Sequence, residues 1–197
     1  MDMTATETAS KVYDYQAYRE LINDLRAKGL ATGGSSSEDF LNYTDLNNAR
    51  MDKWDKRYEL SDELKAALDQ LEHQEDWVVL SEGWCGDAAH ALPFMAKAAQ
   101  YSDKVRLKIL LRDENLDLMD QYLTNGGRAI PKLIRFNVEN GDEMGTWGPR
   151  PKPAQQIHLD GKAEGRPKAE VTIDLQKWYA RDRGATIDKE LTELISK

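Results

Sequence analysis

The stretch Trp77 to Pro93, WVVLSEGWCGDAAHALP, holds the single cysteine of a 197-residue chain. Trp77-Val78-Val79-Leu80 reads as a short buried strand, since consecutive large apolar residues leave it no solvent face. A turn and then a helix follow, which puts Cys85 at a helix N-terminus. Unpaired backbone N–H groups and the positive end of the helix dipole favour a thiolate there. Gly83-Trp84 before the sulfur and Gly86 after it mark a loop tip, a place that is normally exposed. A lone cysteine can instead be a small buried hydrophobe. The placement predicts a reactive, accessible sulfur.

Forward of this stretch, a helix is expected from about Ala88 to Tyr101, kinked where Pro93 removes a backbone hydrogen bond. Val105 to Leu111 (VRLKILL) is a second strand. Asp113 can cap a short helix over Asn115 to Leu123, which Asn125-Gly126-Gly127 ends. Lys132 to Val138 alternates as a strand, Glu139 to Asp142 is a hairpin turn, and Glu143 to Trp147 is the return strand. This order implies a mixed sheet with helices on its faces, an α/β fold. Gly148 to Pro153 (GPRPKP) reads as stiff and irregular, Gln155 to Asp160 as a short helix, and Gly161 to Pro167 as a loop. Helices over Val171–Arg181 and Ile187–Ser196 close the chain.

Upstream, residues 1–10 read as disordered. From Lys11 the apolar residues Tyr15, Tyr18, Leu21, Ile22 and Leu25 fall at helical spacing, and Gly29 is placed to end that helix. Ala31 to Ser37 (ATGGSSS) has the composition of a flexible linker. A second helical tract follows Ser37. A third runs from Asp62 to about His73 with Ser61 as its N-cap. Trp54 and Tyr58 are assigned to the core. The chain divides into an N-terminal helical extension over 1–75, an α/β core over 76–148, and a C-terminal helical segment over 149–197 packed on that core.

The formal charge of −8 argues against nucleic acid and anionic membrane as partners, both of which need a basic face. No apolar run approaches the ~20 residues of a membrane span. The start, MDMTATETAS, lacks the order of a secretory signal. One cysteine allows no intrachain disulfide, which fits a reducing, cytoplasmic setting. His73, His90 and His158 have no ligand spacing, so no metal is expected. His90, five residues beyond Cys85, points away from it around the helix.

Four features in order resemble the thioredoxin superfamily. Trp84-Cys85-Gly86 is similar to the start of its W-C-G-x-C turn. Pro93 sits where its kinking proline falls, eight residues after the cysteine. Ile130-Pro131 resembles its cis-proline dipeptide, and Lys132 to Met144 resembles the hairpin that follows. The resemblance covers about Trp77 to Trp147 and implies a three-layer α/β/α sandwich with a mixed sheet. The flanking helices are additions, similar to those of bacterial cytosolic thioredoxin family proteins. It further implies a catalytic Cys85, with Trp84, Gly86, Asp87, Ile130 and Pro131 around the substrate, an extended peptide pairing beside Pro131.

Three departures weigh against ordinary turnover. Ala88 stands at the place of the resolving cysteine, so a mixed disulfide on Cys85 would wait for an outside thiol. Asp87 replaces the usual proline; it suits a helix start but opposes a thiolate. Val79 takes the position of a buried acid, which removes that route for proton transfer. Arg128 and Lys132 read as solvated charges, with attraction of a carboxylate such as that of glutathione as the other reading.

Two functions follow. One is a monothiol thiol-disulfide oxidoreductase acting through Cys85 on a disulfide-containing protein or a low-molecular-weight mixed disulfide. Glutathione or another small thiol would then be the reductant, with no bound cofactor. The other is a redox-inactive thioredoxin-fold module that binds protein. Either a monomer or a homodimer is compatible with the apolar stripes of the added helices.

Overall fold

The computed structural model describes residues 11–196, so the expectation for residues 1–10 lies outside the described residues. Its sheet has four strands, β1 (Glu75–Ser81), β2 (Val105–Leu111), β3 (Lys132–Asn137) and β4 (Glu143–Trp147), in the order β2-β1-β3-β4. β1 pairs parallel with β2 and antiparallel with β3, and β3 pairs antiparallel with β4. The sheet is therefore mixed, as the element order requires. Every residue of β1 is buried, so both of its faces are covered.

That burial includes two acids, and each is neutralised across the sheet. Glu75 receives two hydrogen bonds from the Arg135 guanidinium of β3, at 2.7 and 2.6 Å. Asp76 is held by Arg106 and Lys108 of β2, at 2.6 and 2.7 Å.

Among the described residues eight α-helices surround the sheet: α1 (Tyr15–Ala27), α2 (Glu38–Arg57), α3 (Asp62–Asp69), α4 (Gly86–Tyr101), α5 (Leu116–Met119), α6 (Lys152–Ala163), α7 (Lys168–Asp182) and α8 (Ala185–Ile195). Gly29 ends α1 with φ of 72°. Ser61 caps α3, its hydroxyl accepting from Leu64 N–H at 3.0 Å. α4 carries Pro93 inside it and packs against α2. The architecture is the thioredoxin-like α/β sandwich with helical additions at both ends.

The additions are built into the core. Tyr13 exchanges two backbone hydrogen bonds with Ile109 and so covers part of the free edge of β2. Tyr58 and Ser61, ahead of the sheet, both donate to the Asp188 carboxylate of α8 at 2.5 Å. The two flanks thereby hold one another.

Several local expectations need correction. Ala31 to Ser37 is ordered: Thr32 is 1% exposed, and its hydroxyl accepts from Gly83 N–H at 2.9 Å. The helix expected over 115–123 shrinks to α5, without a cap from Asp113, which instead pairs with Arg112 at 2.8 Å. α6 runs over most of the segment read as a short helix and a loop. Gly161 lets it approach α7, since a Cβ there would lie 2.5 Å from Val171.

Candidate functional site

β1 delivers the chain to Glu82, Gly83 and Trp84, and Cys85 is the N-cap residue of α4. The sequence places this turn at an exposed tip; in the structure Cys85 is 8% exposed. The reason is tertiary. The segment before β3 lies against the sulfur, with Sγ donating to the Ile130 carbonyl at 3.3 Å. α2, α6 and α7 rise around the turn. The Ile130–Pro131 and Gly148–Pro149 peptide bonds are both cis. Gly148 has φ of 110°, and a Cβ there would fall 2.2 Å from the Pro131 carbonyl oxygen.

Burial pushes the Cys85 thiol up, Asp87 adds to the shift, and the value reaches about 12. The backbone N–H groups of Ala88 and Asp87 favour the thiolate, as the helix start predicts, and Arg150 acts in the same direction. Desolvation outweighs them.

Asp87 does more than begin a helix. Its carboxylate meets Arg150 at 2.7 Å and accepts from the Tyr179 hydroxyl at 2.9 Å. Burial nevertheless raises its pKa. Tyr179 stacks on His90, with ring centroids 4.0 Å apart. His90 Nδ1 accepts from the Trp54 indole at 3.1 Å, so the ring proton sits on Nε2, facing Gln176 Oε1 at 3.0 Å. Burial lowers this histidine to about 4. His90 thus serves the packing of α4 against α2 and α7.

Trp84 is half-buried, 5.0 Å from the Phe40 ring centroid, with the Arg112 guanidinium 4.9 Å above it. Val79 is fully buried and carries no acid, as read. A buried carboxylate is present instead at Glu82, 1% exposed. It accepts from Asp113 N–H at 2.9 Å, and burial raises its pKa. Lys132 is not a solvated charge: it is 7% exposed and donates to the Thr124 hydroxyl at 2.9 Å. Arg128 is exposed and pairs with Asp120 at 2.6 Å.

Trp84, Cys85, Gly86, Asp87 and Ile130 all line one cleft of about 440 Å³, while Pro131 is buried behind it. The sequence reading did not find Arg50, Arg150, Gln176 and Tyr179, which α2, the turn after β4, and α7 bring to this site. Among the described residues no group of three or more His, Cys, Asp or Glu is placed to hold a metal. No helix of these residues is long and apolar enough to cross a membrane.

No curated protein matches the chain. In fold it is similar to a protein of unknown function from Pseudomonas aeruginosa, with 19% identity, 93% of this chain and 97% of that chain covered, and a TM-score of 0.58. It is similar also to an HIV epitope scaffold, with 19% identity, 93% and 98% coverage and a TM-score of 0.55. Identity at this level speaks for the fold alone. A thioredoxin family model matches residues 33–166, a span that holds the whole sheet and the cysteine turn, and the chain therefore belongs to the thioredoxin family.

Proposed function

We propose that the protein is a thioredoxin-fold binding module whose cysteine turn forms part of a binding cleft and has left redox turnover. The observation that carries this reading is the state of the one thiol. The Cys85 thiol is buried, donates a hydrogen bond to the Ile130 carbonyl oxygen, and has its pKa pushed up to about 12 by burial and Asp87. A thiolate is the attacking species in disulfide exchange, and Ala88 offers no second thiol to complete a cycle. The test is turnover of a glutathionylated peptide with excess glutathione. The wild type and Cys85→Ala are expected to give the same background rate. A wild-type rate that Cys85→Ala abolishes would overturn the reading.

One observation favours a second reading, monothiol exchange. Cys85 lines the cleft, and the backbone N–H groups of Asp87 and Ala88 favour its thiolate. A deprotonated Cys85 would attack a mixed disulfide, expel one thiolate and keep the other half bound. A small thiol such as glutathione would then release that half as its own disulfide.

A further inference from the structure

The chain carries a formal charge of −8, yet the cleft beside Cys85 has the opposite sign. Seven arginine and lysine side chains line it, and Asp87 is its one carboxylate. Asp87 is already engaged by Arg150 and Tyr179. Arg166 is engaged by Asp174 at 2.7 Å. Arg50, Lys162 and Lys168 have no carboxylate within salt-bridge distance among the described residues. A low-dielectric pocket lined by one sign of charge concentrates its field on whatever enters.

Arg50 sits deepest of the three. It is partly buried, its Nη1 donates to Asn47 Oδ1 at 2.7 Å, and it faces Gly86 at the start of α4. Burial depresses its pKa, and the Asp87 charge offsets this only in part. A guanidinium drawn partly out of water without a salt-bridge partner is stabilised by an arriving anion. The N-terminus of the 16-residue α4, which no side chain caps, adds its N–H groups and dipole at the same place.

Size and charge narrow the ligand. The cleft of about 440 Å³ has the dimensions of a small-molecule site. α6 and α7 contribute Lys162, Lys168, Val171 and Leu175 to its walls. Three cations lining one cleft beside a helix start suit a compact group that carries more than one negative charge and several acceptor oxygens on a single centre, a description that phosphate fits and carboxylates separated along a carbon chain do not. Tyr43, 48% exposed on the rim, and Trp84 give the organic part of such a molecule an apolar surface.

We propose that this cleft binds a small phosphate-bearing anion, with Arg50, Lys162 and Lys168 as its charge partners. The proposal rests on the reading of the site as one that binds rather than reacts.

The experiment is calorimetric titration of the full chain at low salt with pyrophosphate, ADP, adenosine and succinate. Pyrophosphate and ADP are expected to bind, with affinity falling as salt rises, while adenosine and succinate do not. Lys162→Ala with Lys168→Ala, at two exposed positions, should weaken binding by about tenfold or more while leaving the melting temperature unchanged. Arg50→Gln should weaken it similarly. No heat from either phosphate at millimolar concentration would overturn the proposal. So would succinate binding as tightly as pyrophosphate, or affinities unchanged in both sets of variants. Turnover of a mixed disulfide, if seen, removes the binding-module reading, whereas the anion titration stands or falls on its own.

Discussion

The Cys85 thiol donates to the Ile130 carbonyl oxygen at 3.3 Å. A thiolate cannot make that bond, so the contact stabilises the protonated sulfur and works with desolvation against ionisation. The features that normally activate a thioredoxin-fold cysteine are present: the helix start, two backbone N–H groups that favour the thiolate, and the loop before β3 at its side. Their effect is smaller than that of burial and the Asp87 charge.

Asp87→Asn should separate these contributions. Removing the charge lowers the thiol pKa, because Asp87 is the second-largest cause of the rise after burial. The amide leaves Arg150 partly buried without its counter-charge, a loss of about 3 kcal/mol. Faster alkylation of Cys85, together with a lower urea midpoint, is the expected outcome. An unchanged alkylation profile would show that Asp87 does not act on the sulfur.

His90 makes stability depend on mild acid. Its folded value of about 4 lies below the ordinary 6.5 because burial disfavours the imidazolium. The unfolded chain therefore binds the proton more readily. The stabilisation is fully present above pH 6.5 and is lost as pH falls through about 4, amounting to about 3 kcal/mol. Urea unfolding at pH 7 and pH 5 should differ in this direction. His90→Phe, although less stable at pH 7, should show a flatter dependence over that interval.

The Glu75–Arg135 pair gives a second acid-sensitive element. Burial alone would raise the Glu75 carboxyl, but Arg135 and Trp77 bond to it and hold it below its usual range. Its stabilisation is present above the ordinary carboxylate pKa and disappears as pH drops through the depressed value. Arg135→Met leaves Glu75 buried without its partner and should cost about 3 to 5 kcal/mol at pH 7. The loss should shrink once Glu75 is protonated, which unfolding curves at acid pH would reveal.

Gly148→Ala tests the support behind Pro131. At φ of 110° the new Cβ would fall 2.2 Å from the Pro131 oxygen. Strain and overlap together should cost about 2 kcal/mol or more. Since Pro131 follows Ile130, the same change should loosen the cover on Cys85 and speed its alkylation in the native state.

Much of the fold is legible because it is local. Apolar runs locate β1 to within two residues and β2 to the residue, and Ser61 announces α3. The spacing from Cys85 through Pro93 to Pro131 carries the family. What the sequence hides is contact across distance. Asp87 meets Tyr179 from 92 residues away, and Thr32, inside a run with linker composition, anchors Gly83 from 51 residues away. The exposed tip expected for Cys85 is buried because Ile130 and the C-terminal helices close over it. One signal was available for the cleft: Lys162, Arg166 and Lys168 cluster in an otherwise acidic chain.

The most direct measurement is the alkylation rate of native Cys85 by iodoacetamide from pH 5 to pH 10. Its single thiol makes the result unambiguous. Protection throughout this range, with reaction only on unfolding or at pH approaching 12, is the outcome expected for a sulfur held as described. A native rate that titrates with an apparent pKa of about 7 or below would show an activated thiolate and contradict the account.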